Sequence, residues 1–460
     1  MGFDNEVSYL IDKVYVSKLW NKYNISCDFD KNINIFIGIN GSYKTTFIML
    51  IYNLLTLDFS KLIDIDFEYI EIKMRNAHMV KSILFSKSIQ NNNEILYTFR
   101  VSGYDEICFT KQELKFYDKA FNDEYEDEDN YRIKNTTDSM LKSRYSNMRE
   151  QLFNLINIDY LNINRNSHIK NRFPYFDDEN ESIDSEIKKL VRLFIRYQSE
   201  IKTSINNYSN EFFKESFDCL LKSNAKHNKI SFNSKILMDY KESLKRMSNN
   251  NNFSGIDFQD AIRILDDTNN IIVKNIEKLK SNKVNSENLS LQDLVTNLKP
   301  HEVSKLLDGV LSFPKFQNLC ELYKDVEKKK AKIENPTNTF MKISNNFLKS
   351  SISPNKKLVI ADDGSLMLQI DEGKRVHLNK LSSGEKQLII LLLSALLQKG
   401  KRGIYITDEP ELSLHISWQE KLINALHKIN PNIQLIIATH SPDIVAKYEN
   451  KIKRMEGILK

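Results

Sequence analysis

The sequence predicts an α/β protein: a phosphate-loop parallel sheet covered by helices, an antiparallel β subdomain beside it, and an α-helical insertion between its two halves. Three observations carry that expectation. Ile33-Asn34-Ile35-Phe36-Ile37 is an apolar strand that runs into a glycine-containing turn, a lysine and two threonines, and an apolar helix from Phe47 to Leu57 follows. From Leu358 onward strands and helices alternate, which is the pattern of a parallel sheet with both faces covered. Between about 181 and 350 the apolar period is helical and strand signals are weak.

The bulk numbers agree with a globular protein of more than one domain. The chain has 460 residues, 41% of them hydrophobic and 28% charged. Its net charge of +5, the balance of 66 basic and 61 acidic residues, permits contact with nucleic acid without arguing for it. Cys27, Cys108, Cys219 and Cys320 are scattered with no C-x-x-C pair, so a reducing compartment is expected, with neither a disulfide framework nor a zinc site. Met1 to Ser8 is polar and acidic and does not read as a signal peptide. Met1-Gly2 lacks the Ser or Thr that myristoylation needs, because Glu6 stands there. The longest apolar run, Leu388 to Leu397, is too short to span a bilayer. A cytoplasmic protein with no membrane association is expected.

Taken in order, Val14-Tyr15-Val16, Ile25 to Phe29 and Ile33 to Ile37 read as strands leading into the turn at Gly38. Phe67 to Met74, Val80 to Phe85 and Glu94 to Val101 read as an antiparallel sheet. The acidic stretch Asn122 to Asp129 reads as a solvated loop, Met140 to Ile156 as a helix, and Ile158 to Ile163 as a strand. In the insertion, Ile187, Leu190, Phe194, Tyr197, Ile201, Ile205, Tyr208 and Phe212 recur at spacings of three and four, placing one apolar seam along a long helix. Asn-rich loops at Ser248 to Phe253 and Asn282 to Asn288 break the region into a helical hairpin with a short bundle. Leu358 to Ile360 and Leu366 to Ile370 flank Asp363-Gly364, a hairpin signal. Then come a helix over 384–399, a strand over 403–407, a helix over 415–429, a strand over 433–438 and a short helix after Pro442. The expected divisions are 1–180, 181–350 and 351–460, the outer two forming one head.

Four motifs carry chemistry. Gly38-Ile39-Asn40-Gly41-Ser42-Tyr43-Lys44-Thr45-Thr46 has the layout of a phosphate loop: backbone N–H groups at a helix start, a lysine for the outer phosphates and a hydroxyl for Mg²⁺. Tyr43 stands where the strict pattern has glycine. Leu381-Ser382-Ser383-Gly384-Glu385-Lys386-Gln387 opens a long apolar helix with small residues, which suits a γ-phosphate. Ile404-Tyr405-Ile406-Thr407-Asp408-Glu409 is an apolar strand ending in adjacent carboxylates, one for Mg²⁺ and one for an attacking water. Leu435-Ile436-Ile437-Ala438-Thr439-His440 ends a strand in a histidine that could sense the γ-phosphate. Singly, each has an ordinary structural explanation: a turn, an N-cap, an exposed histidine. Their shared order and their strand or helix contexts make the joint reading the better one.

That order and wording resemble the ATP-binding-cassette type of ATPase, and within it the soluble branch of SMC, Rad-type, RecF and OLD-family proteins. The resemblance spans roughly residues 7–110 and 355–450 and leaves out the insertion. It implies an ATPase that binds ATP and Mg²⁺ between two copies of the chain. By resemblance, Lys44 binds the β/γ-phosphates, Thr45 and Asp408 hold Mg²⁺, Glu409 positions or activates water, and His440 is the switch histidine. Gly38, Asn40, Gly41, Ser42, Tyr43 and Thr46 line the phosphates, while Ser382, Ser383, Gly384 and Glu385 reach ATP on the partner copy. The family's Q-loop glutamine is not identifiable; the strand end from Asn162 to Arg165 is the candidate place for it. Three outcomes stay open for Tyr43: a distorted loop, slower hydrolysis, or a side chain that simply points outward.

The insertion is short for an SMC-type or Rad-type coiled coil, so no long arm is expected, and with twenty residues after His440 the nuclease domain of OLD proteins is not expected either. The wording Glu409-Pro410-Glu411-Leu412-Ser413-Leu414-His415 resembles OLD-like ATPases, and a standalone ATPase of that kind resembles those of the PARIS and Septu anti-phage systems. The resemblance implies a homo-oligomeric sensor and scaffold that holds a nuclease or toxin effector and releases it on meeting a phage protein. The alternatives are a DNA-binding repair ATPase of the RecF kind, the ATPase subunit of a Septu-like nuclease complex and, least favoured, a transporter subunit. The basic stretches Lys324 to Lys332 and Lys170-Asn171-Arg172 would be the DNA contacts of the first.

Overall fold

The computed structural model describes residues 8–77, 79–89, 94–114, 148–149, 152, 155–156, 158–162, 183–221, 234–249, 258–280, 298–349, 355–371 and 373–460. They form two compact units. One comprises residues up to 197 together with 336–460, and the other comprises 198–335.

The first unit holds three sheets. β1 (Leu10–Leu19) and β2 (Tyr23–Asp28) form an antiparallel pair, and β3 (Ile33–Ile37) leads into α1 (Lys44–Thr56) and the short α2 (Phe59–Ile63). β4 (Tyr69–Arg75), β5 (Val80–Ile89), β6 (Ile95–Val101) and β7 (Ile107–Thr110) complete a six-stranded sheet of order β2-β1-β4-β5-β6-β7. All its pairings are antiparallel. Its inward residues alternate as the sequence implies: Ile70, Ile72 and Met74 are buried, with Glu71 and Lys73 between them on the other face. Helical residues at Met148 and Leu152 pack on this core; the rest of the expected 140–156 helix and the acidic stretch 122–129 lie outside the described residues.

β8 (Ile158–Asn162) belongs to the second sheet. α3 (Ile183–Leu221), α4 (Ser234–Ser248), α5 (Gln259–Lys280) and α6 (Pro300–Leu348) are the helices of the insertion. β9 (Lys357–Ile360), β10 (Leu366–Asp371) and β11 (Lys374–Val376) make a small antiparallel sheet around the Asp363-Gly364 turn. α7 (Ser383–Leu397), β12 (Gly403–Asp408), α8 (Ile416–Ile429), β13 (Ile433–Ala438), α9 (Pro442–Val445), β14 (Ile452–Arg454) and α10 (Met455–Ile458) close the chain.

The five-stranded sheet is entirely parallel, in the order β14-β3-β13-β12-β8. Every residue of β12 and β13 is buried, so these strands read as continuous apolar runs without alternation. α7 is likewise buried nearly all round, from Gln387 to Leu396. One buried polar side chain joins this sheet to the antiparallel one: Gln434 accepts from Ile11 N at 2.9 Å and donates to the carbonyls of Ile11 and Asp30 at 2.8 Å each. With both ends of its amide satisfied, the link avoids the desolvation cost that an unpaired buried amide carries.

The second unit has its own core, including Leu237, Tyr240, Leu244, Leu265, Leu306 and Tyr323. It is narrower than the 181–350 insertion because both long helices give their outer turns to the first unit. Within that unit Phe194 meets Phe340, the Lys386 ammonium pairs with Asp184 at 2.7 Å, and Phe347 packs edge-on against Trp418. The division at 335/336 coincides with Pro336, which cannot supply the helical N–H at that position. No helix among the described residues is long and apolar enough to cross a membrane. Cys27, Cys108 and Cys320 are free, and burial pushes the thiols of Cys27 and Cys320 up to about 12.

Candidate nucleotide site

The parallel sheet brings together residues that the sequence separates by almost its whole length. In its register Asp408 lies beside Ala438, and Ala438 beside Phe36. The C-terminal tips of β12, β13 and β3 are therefore neighbours, and each continues into one of the motifs. Two backbone bonds continue the ladder past the strands: Thr439 N donates to Phe36 O at 3.1 Å, and Glu409 N to Ala438 O at 2.8 Å. Carboxyl ends of adjacent parallel strands are where α/β sheets build ligand sites.

The phosphate loop takes the expected shape despite Tyr43. Gly41 has φ +83° with open space around its α-carbon, and Tyr43, at the N-cap of α1, has φ 64° and ψ 21°. This left-handed conformation is the one that glycine supplies elsewhere, and a side chain makes it cost roughly 1–2 kcal/mol. The Tyr43 ring is half-buried and meets the Tyr23 ring of β2 at 5.6 Å between centroids. It thus turns away from the loop's interior, and what Tyr43 offers a phosphate is its backbone. Gly38 has a steric reason as well: a β-carbon there would lie 2.5 Å from Ser42 Oγ.

Lys44 is 5% exposed, and its ammonium donates to Gly38 O at 3.0 Å and meets His440 Nε2 at 2.6 Å. Because a lysine ammonium only donates, Nε2 accepts, which assigns the proton of the ring to Nδ1. His440 Nε2 also lies 3.5 Å from Glu409 Oε1. Lys44 and His440 thus stand against each other at the place where the sequence reading puts a γ-phosphate.

Asp408 is 2% exposed and hydrogen-bonded to Thr45; burial raises its pKa, with the Thr45 bond and the Lys44 charge acting the other way. Its Oδ1 is buried with no partner among the described residues. A buried carboxylate oxygen left unpaired is costly, and a hard cation would satisfy it. The donor set of Asp408 and the Thr45 hydroxyl suits Mg²⁺, which keeps water and phosphate oxygens as its other ligands. Among the described residues no cluster of three or more His, Cys, Asp or Glu side chains could hold a metal ion.

Glu409 follows the strand at φ 46°, a second left-handed residue in the site. Burial, then the hydrogen-bonded and charged carboxyl of Glu411, then the Asp408 charge push the Glu409 carboxyl up to about 8. Glu411 is itself buried, and in the sequence it is one acidic residue of the Glu409 to His415 run with no chemistry of its own. Its signal was present as an acidic residue two places after Glu409, but only the fold shows that it turns inward.

The Ser382–Glu385 segment is built differently from the reading of small residues around exposed N–H groups. Ser382 and Glu385 form a capping box, with Glu385 N donating to Ser382 Oγ at 3.4 Å and Ser382 N to Glu385 Oε2 at 3.0 Å. Lys356 pairs with Glu385 at 2.6 Å. Gly384 is buried, and a β-carbon there would lie 2.2 Å from the Ser413 carbonyl oxygen. That glycine is therefore required by the 410–414 loop, while Ser382 and Ser383 are exposed. The side chains of Ser382 and Glu385 bond to each other, and Glu385 to Lys356, and among the described residues neither makes a polar contact with Lys44. Asn40 and Gly41 are exposed, Ser42 is buried with an unpaired Oγ, and Thr46 is half-buried on the first turn of α1.

The candidate place for the Q-loop ends β8: Asn162 lies beside Asp408 in the sheet, and 163–165 fall outside the described residues, as do 170–172. The basic run on α6 is partly neutralised in place. Lys328 pairs with Asp325, Lys330 with Glu327, and Lys324 and Lys329 lie over the rings of Tyr240 and Tyr208. This is the pattern of a solvated helix face.

Comparison with known proteins places residues 33–446 in a match to the family AAA_21, described as "AAA domain, putative AbiEii toxin, Type IV TA system". Among characterised sequences the chain is 28% identical to the Retron Ec83 probable ATPase of Escherichia coli, over 41% of this chain and 35% of that protein. It is 37% identical to the Retron Vc95 probable ATPase of Vibrio cholerae serotype O1 biovar El Tor, over 16% of this chain and 17% of that protein. The matches thus span about a third or less of these relatives. Among solved structures, the Smc head domain with an extended coiled coil from Pyrococcus furiosus, bound to the C-terminal domain of ScpA, is 13% identical. That similarity covers 98% of this chain and 95% of that one, with a TM-score of 0.38. The SMC head domain from Thermotoga maritima is 11% identical over 95% and 91% of the two chains, with a TM-score of 0.36.

Proposed function

The chain belongs to the AAA_21 family, and we propose that it is an Mg²⁺-dependent ATPase whose complete site forms between two copies of itself. The observation that carries this reading is the convergence of Lys44, Thr45, Asp408, Glu409 and His440 at the tips of three adjacent parallel strands. In this reading the N–H groups around Gly41 to Thr46 and the α1 N-terminus hold the phosphates, and Lys44 leaves Gly38 O and His440 for the outer phosphate oxygens. Asp408 and Thr45 hold Mg²⁺, which would supply charge neutralisation at the phosphates. Glu409 takes a proton from the attacking water, and His440 contacts the transferring phosphoryl group. Ser382 to Glu385, outside the site within one chain, approach the ATP held by a partner copy.

The experiment is binding of a fluorescent ATP analogue to Lys44→Ala and Glu409→Gln. Lys44→Ala should lose binding, and retained affinity overturns the phosphate-loop assignment. Glu409→Gln should bind and trap ATP; turnover equal to the unaltered chain shows that another group activates water.

We propose further that the ATPase works as a sensor and scaffold in anti-phage defence, oligomeric and holding a nuclease or toxin effector, in the manner of PARIS-type systems. Support comes from the resemblance of the Glu409 to His415 wording to OLD-like ATPases, from retron ATPases among the relatives, and from a family description that includes a toxin. Co-expression with the products of the neighbouring genes tests it. An effector should co-purify with the chain and be released on phage infection, and Lys44→Ala should abolish protection in plaque assays. Protection that survives Lys44→Ala overturns this role.

A further inference from the structure

We propose that Glu411 is a positioning residue that couples the 410–414 loop to the switch histidine, by gripping residues 439–441 with one carboxylate oxygen. The proposal rests on the ATPase reading and gives a role to a residue that reading does not use.

Glu411 is only 9% exposed. A carboxylate taken out of water at that depth persists only where donors replace its hydration. Here Oε1 takes its donors from one short segment, while Oε2 is buried with no hydrogen-bond partner among the described residues. Glu411 Oε1 accepts from the Thr439 hydroxyl, from His440 N at 2.9 Å and from Ser441 N at 3.0 Å. Three charge-assisted bonds converge on one oxygen, and the segment they fix is the one that carries His440. A second pin lies beside the first: the Ser441 hydroxyl donates to Gln419 Oε1 at 2.6 Å, and Gln419 Nε2 donates to Leu414 O at 2.9 Å. The switch segment is thereby tied twice to the loop that follows Glu409.

That loop is held from its other side by α7. Gln387, buried on this helix, donates to Pro410 O at 3.1 Å, and Gly384 packs against the Ser413 carbonyl with no room for a β-carbon. Ser413 has φ 66° and adopts the left-handed conformation there. A continuous set of contacts thus runs from the start of α7 through Pro410 and Ser413 to Glu411 and Gln419, and on to His440 and the Lys44 ammonium. A shift of the Ser382–Glu385 helix start moves the loop, the loop moves Glu411, and Glu411 moves the imidazole. Coupling of this kind needs a physical chain of rigid contacts, and each link here is a hydrogen bond or a close packing.

The plainer role for Glu411 is to satisfy the backbone N–H groups of His440 and Ser441 and nothing more. The two roles separate in a double-mutant cycle with His440. Glu411→Ala should leave ATP affinity within about 3-fold, since Glu411 is not among the groups that would hold the phosphates, and should lower kcat on the order of 100-fold as a misplaced group does. In a His440→Ala background the same change should cost less than about 3-fold, because the residue it acts through is gone. Glu411→Gln, which keeps an acceptor at Oε1, should recover most of the loss.

A second measurement is independent of turnover. Hydrogen exchange at the amides of His440 and Ser441 should be faster in Glu411→Ala, on the order of 10-fold, and near the original rate in Glu411→Gln. If Glu411→Ala does not fold, Gln419→Ala cuts the other pin and carries the same cycle. Losses that add in the double variant, or unchanged exchange at 440 and 441, overturn the proposal. A chain that neither binds nor hydrolyses ATP sinks the ATPase reading instead, and the exchange result still decides whether Glu411 grips the segment.

Discussion

Tyr43 shows how one residue can break a sequence pattern and keep its geometry. The loop needs a left-handed residue just before Lys44, glycine is the usual means, and Tyr43 adopts the conformation at φ 64°. The cost of roughly 1–2 kcal/mol is offset by packing of the ring on Tyr23 and the core beneath it. Tyr43→Gly should therefore change ATP affinity by less than about 3-fold, and stability by within about 1 kcal/mol, as relief of strain and loss of packing oppose each other. A titration showing a larger change in affinity would mean that the ring does reach the nucleotide. Glu409 carries the clearest electrostatic expectation. A general base must be ionised, and burial beside Glu411 holds this one up to about 8. kcat/KM, which reports the free enzyme, should rise with pH and level off above about 8; a flat profile between about 6 and 9 would exclude Glu409 as the titrating base. Residues 44, 45, 408, 409 and 440 were singled out by their motifs, and the fold brings them together. Glu411 was not singled out, since nothing about an acidic residue in a turn says that it faces inward.

At the scale of elements, the boundaries read from periodicity fall close to those observed. The strand expected at 433–438 occupies Ile433–Ala438, and the helix expected at 415–429 runs from Ile416 to Ile429. Both are strongly patterned, and the second has a side-chain cap from His415. What periodicity did not show is the purpose of Gly384. In the sequence it is a small residue at a helix start; in the structure it is the clearance for Ser413 O. Gly384→Ala would place a methyl group 2.2 Å from that oxygen, so the loop or the helix must move. Overpacking of this kind costs roughly 1–3 kcal/mol. The variant should melt at a lower temperature and lose turnover, because the displaced loop carries Glu411. Unchanged melting together with unchanged turnover would show that α7 does not set the loop's position.

For the whole molecule, the open question is whether the exposed Ser382 and Ser383 serve a second copy of the chain. A mixing experiment answers it. Lys44→Ala leaves the α7 segment intact and Ser383→Arg leaves the phosphate loop intact, so each should be inactive alone. Mixed in equal amounts, they should regain roughly a quarter of the activity, since about half the pairs are mixed and each mixed pair has one whole composite site of two. No recovery on mixing, with dimers present by light scattering, would place the α7 segment outside the site. The order of motifs and their helix and strand contexts were determined by the sequence alone, because local periodicity carries that information over short windows. The union of residues near 40, 408 and 440 was decided by the tertiary structure, through parallel pairing that sets Phe36, Ala438 and Asp408 side by side. So were the outward turn of Tyr43, the clearance at Gly384 and the inward carboxylate of Glu411. Each of these is set by a neighbour remote in the chain, and no local pattern encodes which neighbour that will be.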